Sequence, residues 1–164
     1  MTIRDFSFSS PTITLVAAIG AGLAGGVFFA FSTFVMDGLG RLPDREGLAA
    51  MQQINKAAPT PAFMLLWLGT AALCVAIGIS AVRRWGDPPA VWLVVGAALY
   101  LAMMVLSFAY HIPHNDALAL LDPSAAGSAA KWRSYHTWWT TVNHLRTLAC
   151  AASSVAFAVA YRLS

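Results

Sequence analysis

Charge is what this sequence has least of. Lys, Arg, Asp and Glu together make up 10% of its 164 residues, against roughly 25% in a typical soluble domain. Hydrophobic residues reach 59% and the mean hydropathy is +0.66, so the solvent for most of the chain is read as lipid. Cysteine is scarce as well. Cys74 and Cys150 sit inside different apolar runs, which favours small packing residues over a structural disulfide. Paired carboxylates, a nucleophile elbow, a phosphate-cradling loop and a haem-attachment motif are missing. The G-L-A-G-G of residues 22–26 lies within an apolar run and is no dinucleotide fingerprint. Without repeated halves or a carboxylate relay, a proton-coupled transporter is disfavoured.

The formal net charge of +3 and pI near 9.2 raise the question of nucleic acid. Arg4, Arg83, Arg84 and Arg162 flank apolar runs instead of interleaving with aromatics. Such flanks are topology signals, and no nucleic-acid partner is expected.

Four apolar runs, residues 11–36, 61–82, 89–110 and 137–161, each meet the ~20 helical residues a bilayer requires. The expected fold is all-α: an integral membrane four-helix bundle forming one domain over residues 1–164. The first run is too long for a signal-peptide core and lacks a basic leader, so it is expected to be retained. Residues 44–58 begin acidic and then gather Leu48, Met51, Ile54 and Ala58 on one arc. They predict an interfacial amphipathic helix between the first two spans. Gly22, Gly26, Ala30 and Thr33 place small side chains on one face of the first span, suited to packing against a neighbouring helix. Four crossings put both termini and the R-R-W-G-D-P-P turn on one side. Its double arginine near the membrane assigns that side to the cytoplasm.

Polar residues concentrate at the opposite side. At 100° per residue, Trp132, His136, Trp139, Asn143 and Arg146 fall within a sector of about 80°; Cys150, Ser154 and Phe157 continue that face inward, while His144 lies outside it. An arginine at mid-membrane costs on the order of 2.5–3.5 kcal/mol on insertion scales. That cost calls for a partner such as Asp37, Asp116 or freed backbone near Pro113, or for a function. The second cluster, Y-H-I-P-H-N-D over residues 110–116, closes the third span. Pro113 lacks an N–H and disfavours α conformation at Ile112, so the helix is expected to loosen there. Both clusters reach one membrane face and are expected to enclose one site. His111, His114 and His136 could hold copper, iron or zinc, although no spacing here is a recognised metal signature.

Residues 22–36 (G-L-A-G-G-V-F-F-A-F-S-T-F-V-M), 51–64 (M-Q-Q-I-N-K-A-A-P-T-P-A-F-M), 112–118 (I-P-H-N-D-A-L) and the W…N-H-L-R-T of residues 139–147 resemble the small four-helix anthrone-oxygenase-like membrane proteins. Fungal members of that family oxidise an anthrone to an anthraquinone with molecular oxygen; many members are bacterial. The resemblance implies an integral protein of a bacterial-type cytoplasmic membrane, with Asn55, Asn115, Trp139, Asn143 and Arg146 at the family's polar positions. Two functions are compatible with it. The first is a monooxygenase for a flat, apolar phenolic substrate arriving from lipid. In it His111 or His136 is the base, Arg146, Asn115 and Asn143 stabilise an enolate, and Trp132, Trp139 and Asn55 hold the ring. No cofactor is required by that scheme. The second is a non-enzymatic membrane protein that binds a lipid, a quinone or a partner helix, with the small-residue face of the first span as a homo-oligomer seam.

The orientation is testable by membrane-impermeant thiol labelling of intact cells. Ser124→Cys is expected to label and Trp85→Cys to label only after permeabilisation; the reverse pattern inverts the topology.

Overall fold

The structure, a computed structural model, describes residues 10–164; Arg4 lies outside them. Five helices account for nearly all of the described chain: α1 (Pro11–Gly40), α2 (Asp44–Ala57), α3 (Pro61–Arg83), α4 (Ala90–Ala119) and α5 (Ser128–Arg162). No strand occurs among the described residues. α1, α3 and α4 are long and apolar enough to cross a membrane. α5, the longest at 35 residues, does not join them on composition. The polar stripe down to Asn143 and Arg146 leaves an unbroken apolar stretch, residues 147–161, shorter than a bilayer requires. The expected count of four spans thus stands at three by hydropathy.

Local chemistry sets the ends. Pro61 starts α3, where its missing N–H is harmless, and the Thr60 hydroxyl accepts from the Phe63 N–H at 3.2 Å. Gly127 precedes α5 with φ +85°, a conformation glycine adopts without a Cβ penalty.

α1, α5, α4 and α3 pack in a ring, each against the next, so α3 and α5 stand diagonally across it. Small residues allow the close approaches. A Cβ on Gly25 would stand 2.9 Å from the Cys150 Cβ, and one on Gly96 would meet the Phe157 ring at 2.9 Å. Hydroxyls tie the helices where no water competes. Ser153 donates to the Gly96 carbonyl at 2.7 Å, Ser154 to Ala18 at 2.8 Å and Tyr100 to Trp67 at 3.1 Å. Of the small-residue face expected to pack, Gly22 and Gly26 are exposed, and nothing lies within 4 Å of a Cβ on Gly26. The packed face of α1 is instead Ala17, Ala21, Ala24 and Phe28.

α2 covers one end of the ring. Its apolar arc, expected on the membrane surface, is covered by protein: Leu48 and Met51 pack with Met36, Leu118, Trp132, Tyr135 and Trp139. Gln52 locks it by donating to the Leu118 and Leu121 carbonyls at 2.9 and 2.8 Å. The third span, expected to close over residues 110–116 with a loosening at Pro113, does loosen, one turn before the proline, but does not close. The helix runs on to Ala119 through a wide π turn over Ser107–His111. There the Ile112 N–H reaches back five residues to the Ser107 carbonyl, and the helix passes the proline without breaking. α1 carries a matching π turn over Phe31–Val35.

Gly25→Leu is expected to lower stability by about 1–3 kcal/mol through overpacking, whereas Gly26→Leu is expected to leave it unchanged. Thermal melts of the two variants in the same detergent check this.

Candidate functional site

Between the covered end and the ring lies a cavity of about 260 Å³. α5 contributes Trp139 and Arg146, α4 contributes Ser107, His111 and Asn115, and α2 contributes Asn55. α1 adds Phe28 and Phe31, and α3 adds Phe63 and Trp67. The π turn of α4 places His111 inward: its side chain is buried while its neighbours Tyr110 and Ile112 are part-exposed.

Buried nitrogen without a partner distinguishes this wall. Among the described residues, six buried side-chain polar atoms lack a hydrogen bond: Asn55 Nδ2, Trp67 Nε1, both ring nitrogens of His111, Arg146 Nε and Asn143 Oδ1. All but the last belong to residues that line the cavity. Buried polar atoms are ordinarily paired, and an unmet donor costs roughly 1–3 kcal/mol. Concentrating them around one void describes a surface complementary to hydrogen-bond acceptors.

Arg146 is 7% exposed and has no carboxylate within ion-pair distance among the described residues. Its guanidinium carbon lies 3.8 Å over the Phe28 ring centroid, a contact that partly offsets desolvation. Neither expected acid serves it: Asp37 pairs with Arg41 at 2.7 Å on the surface, and Asp116 is exposed. Asn115 is the most constrained group. Its Oδ1 accepts from Tyr135 OH and from Trp139 Nε1, both at 2.8 Å. That fixes the carboxamide and leaves Nδ2 as its free donor. Trp139 is held further by the His111 ring, edge-on at 5.0 Å, and by Phe31 at 5.7 Å.

The structure divides the residues singled out from the sequence. His111, Asn115, Trp139, Arg146 and Asn55 meet around the cavity. His136, Asn143 and Trp132 do not line it. His136 Nε2 donates to the Met36 carbonyl at 2.7 Å. Asn143 Nδ2 donates to the Phe28 carbonyl at 2.8 Å and to Ser32 Oγ at 2.9 Å. Both side chains thus hold the π turn of α1, which carries Phe28 and Phe31 to the cavity wall. Trp132 stacks on Tyr135 at 5.9 Å. His114 lies outside as well, donating from Nδ1 to the Tyr110 carbonyl at 2.7 Å. The three histidines proposed for a metal therefore point to different neighbours, and no group of three His, Cys, Asp or Glu among the described residues could hold an ion. Sequence reasoning missed Trp67 and Tyr135. Trp67 sits seven places into α3 instead of in an edge belt, which was a readable signal.

Membrane-compatible helices around a mostly apolar cavity studded with a few polar side chains define a helical membrane-type protein with a small-molecule-sized hollow. The chain belongs to the anthrone oxygenase family, whose sequence profile matches residues 63–156, more than half of its length. Residues 112–118 and 139–147 fall inside that match; residues 22–36 and 51–62 lie before it. No curated protein and no solved structure matches the chain.

Asn115→Leu would strand two buried donors and is expected to destabilise by about 2–4 kcal/mol. Asn115→Asp keeps an acceptor for both and is expected to melt near wild type, provided the carboxylate is ionised. Thermal unfolding of the two variants separates these outcomes.

Proposed function

We propose that the chain is a membrane oxygenase that converts an anthrone-type phenolic substrate to the corresponding quinone with O2, and that α5 is its fourth span. The cluster of unpartnered nitrogens around the cavity carries this reading. An anthrone is acidic at its methylene because the carbanion is a delocalised enolate, and such an enolate needs N–H donors. Arg146, with no internal anion, supplies charge; Asn115 Nδ2 and Asn55 Nδ2 supply oriented dipoles. Donors fixed before the reaction stabilise developing charge without reorganising.

His111 is the base. A neutral imidazole with no side-chain hydrogen-bond partner among the described residues keeps a ring nitrogen for the methylene proton. The carbanion carbon then bonds to O2, and the peroxide oxygen takes back the proton. The O–O bond breaks as the remaining C–H proton leaves, water departs, and the carbon becomes a carbonyl. Anthrone plus O2 gives quinone plus water, so electrons and atoms balance without another reductant. Trp139 and Phe31 form the aromatic wall against which a flat ring would lie. His136 and Asn143 act here as positioning residues for α1. We place the site at the membrane face opposite the termini.

The binding-only alternative, with a lipid or quinone as occupant, rests on the same donors and differs in giving His111 no task. In nanodiscs under oxygen, Arg146→Ala is expected to lower anthrone turnover by about 10²–10³-fold while the protein still inserts. Added chelator is expected to leave wild-type quinone formation unchanged. Full activity of Arg146→Ala would remove the arginine from the mechanism; loss of activity with chelator would return the question to a metal.

A further inference from the structure

The unpartnered donors are not all on one side of the cavity. Arg146 projects from α5. Trp67 projects from α3, which stands diagonally opposite in the ring. Both line the same cavity, and Arg146 Nε and Trp67 Nε1 are both buried without a partner. An indole N–H is a donor only, and a buried one usually finds an acceptor. Nothing among the described residues provides it.

Trp67 is held firmly for a residue with an idle polar atom. Phe63 stacks on it at 6.3 Å with planes 8° apart, and Phe108 leans on it at 5.6 Å. Tyr100 donates to its carbonyl at 3.1 Å. The indole orientation is thereby fixed by packing, with Nε1 left over. Other residues that line the cavity, among them Val27, Met51 and Ile54, are apolar.

We infer that Trp67 is a second catalytic donor, which binds the oxygen newly added to the substrate. The inference rests on the oxygenase reading above. In an anthrone the carbon that is oxidised lies directly across the central ring from the enolate oxygen. If Arg146 holds that oxygen, the reacting carbon is turned toward α3. The incoming O2 bonds to it there, and the resulting peroxide oxygen, then the new carbonyl oxygen, meets Trp67 Nε1–H. Charge moves from the Arg146 pole toward the Trp67 pole as the C–O bond forms, so the hydrogen bond to Trp67 strengthens along the reaction. A donor met only after the substrate has reacted raises kcat without tightening substrate binding. The quinone, with an acceptor at each end, satisfies both poles; the anthrone satisfies one.

The test uses the full chain in nanodiscs with anthrone and 9,10-anthraquinone as probes. Wild-type protein is expected to bind the quinone about tenfold more tightly than the anthrone, as an added hydrogen bond to a fixed donor would give. Trp67→Phe keeps a ring against Phe63 and Phe108 but removes the N–H. It is expected to cancel that preference, to leave anthrone affinity within about twofold, and to lower kcat by roughly tenfold or more with KM unchanged. Equal wild-type affinities, an unchanged quinone preference in Trp67→Phe, or a parallel loss of both affinities would overturn the proposal. Wild-type protein that neither binds nor oxidises anthrone, yet binds the quinone through Trp67, would overturn the oxygenase reading and keep the two-pole site.

Discussion

A guanidinium that has left water without meeting an acid is the constraint around which this protein is arranged. Arg146 is the only Lys, Arg, Asp or Glu within the four apolar runs. The acids that form ion pairs, Asp37, Asp44 and Asp87, do so with Arg41, Arg133 and Arg84 outside those runs. A buried pair would have neutralised the arginine and reduced it to a strut, and a buried charge stripped of its partner is strongly destabilising. The fold instead gives Arg146 an aromatic face at Phe28 and a void. Arginine suits such a place better than lysine, since its delocalised charge is more weakly hydrated and stacks on rings.

The two π turns answer to that arrangement. An α1 that stayed regular through Phe31–Val35 would present a different set of side chains to the cavity end. The extra residue of a π turn shifts the register of the next helical turns by about one position, and carbonyls displaced by it need new donors. Asn143 and His136 of α5 serve carbonyls that flank the α1 turn. In α4 the turn works with Pro113. It lets the helix continue past a residue with no N–H and brings His111 to the interior while Asn115, four residues on, still faces the same hollow. Helix irregularity and site construction are here one feature.

Much of this was legible beforehand, and the limits have physical causes. The helical period alone placed Trp139, Asn143 and Arg146 on one face, and all three are buried. Period also grouped His136 and Trp132 with them, but a sector of 80° is wide enough to serve both a cavity and the neighbouring helix. Only α1's position decides which residue does which. The loosening expected at Pro113 is present one turn earlier as the π turn over Ser107–His111, and the helix continues past its expected close because that turn accommodates the proline. The arc of α2 was visible, but an amphipathic arc fits protein or membrane equally well, and Gln52's grip on the end of α4 depends on contacts across more than sixty residues. Trp67 was overlooked because its depth in the apolar run, readable in itself, does not reveal that the indole nitrogen is unmet.

That every unmet polar atom on the cavity wall is a nitrogen bears on the choice between catalyst and binder. A pocket that only stores a lipid or quinone needs donors where the ligand has oxygens, and Arg146, Asn115 and Trp67 already provide them. His111 is different in kind. A neutral imidazole brings a lone pair as well as an N–H, and a quinone or ester offers no proton to that lone pair. Burying it without a side-chain partner therefore adds a desolvation cost that a binding pocket does not recover. A substrate that surrenders a proton inside the cavity does recover it, because the proton finds its acceptor and the anion left behind finds Arg146. The same pair of groups, cation and base, has both of its needs met at once by an occupant that carries a proton to give and an oxygen to accept, as the proposed carbon acid does.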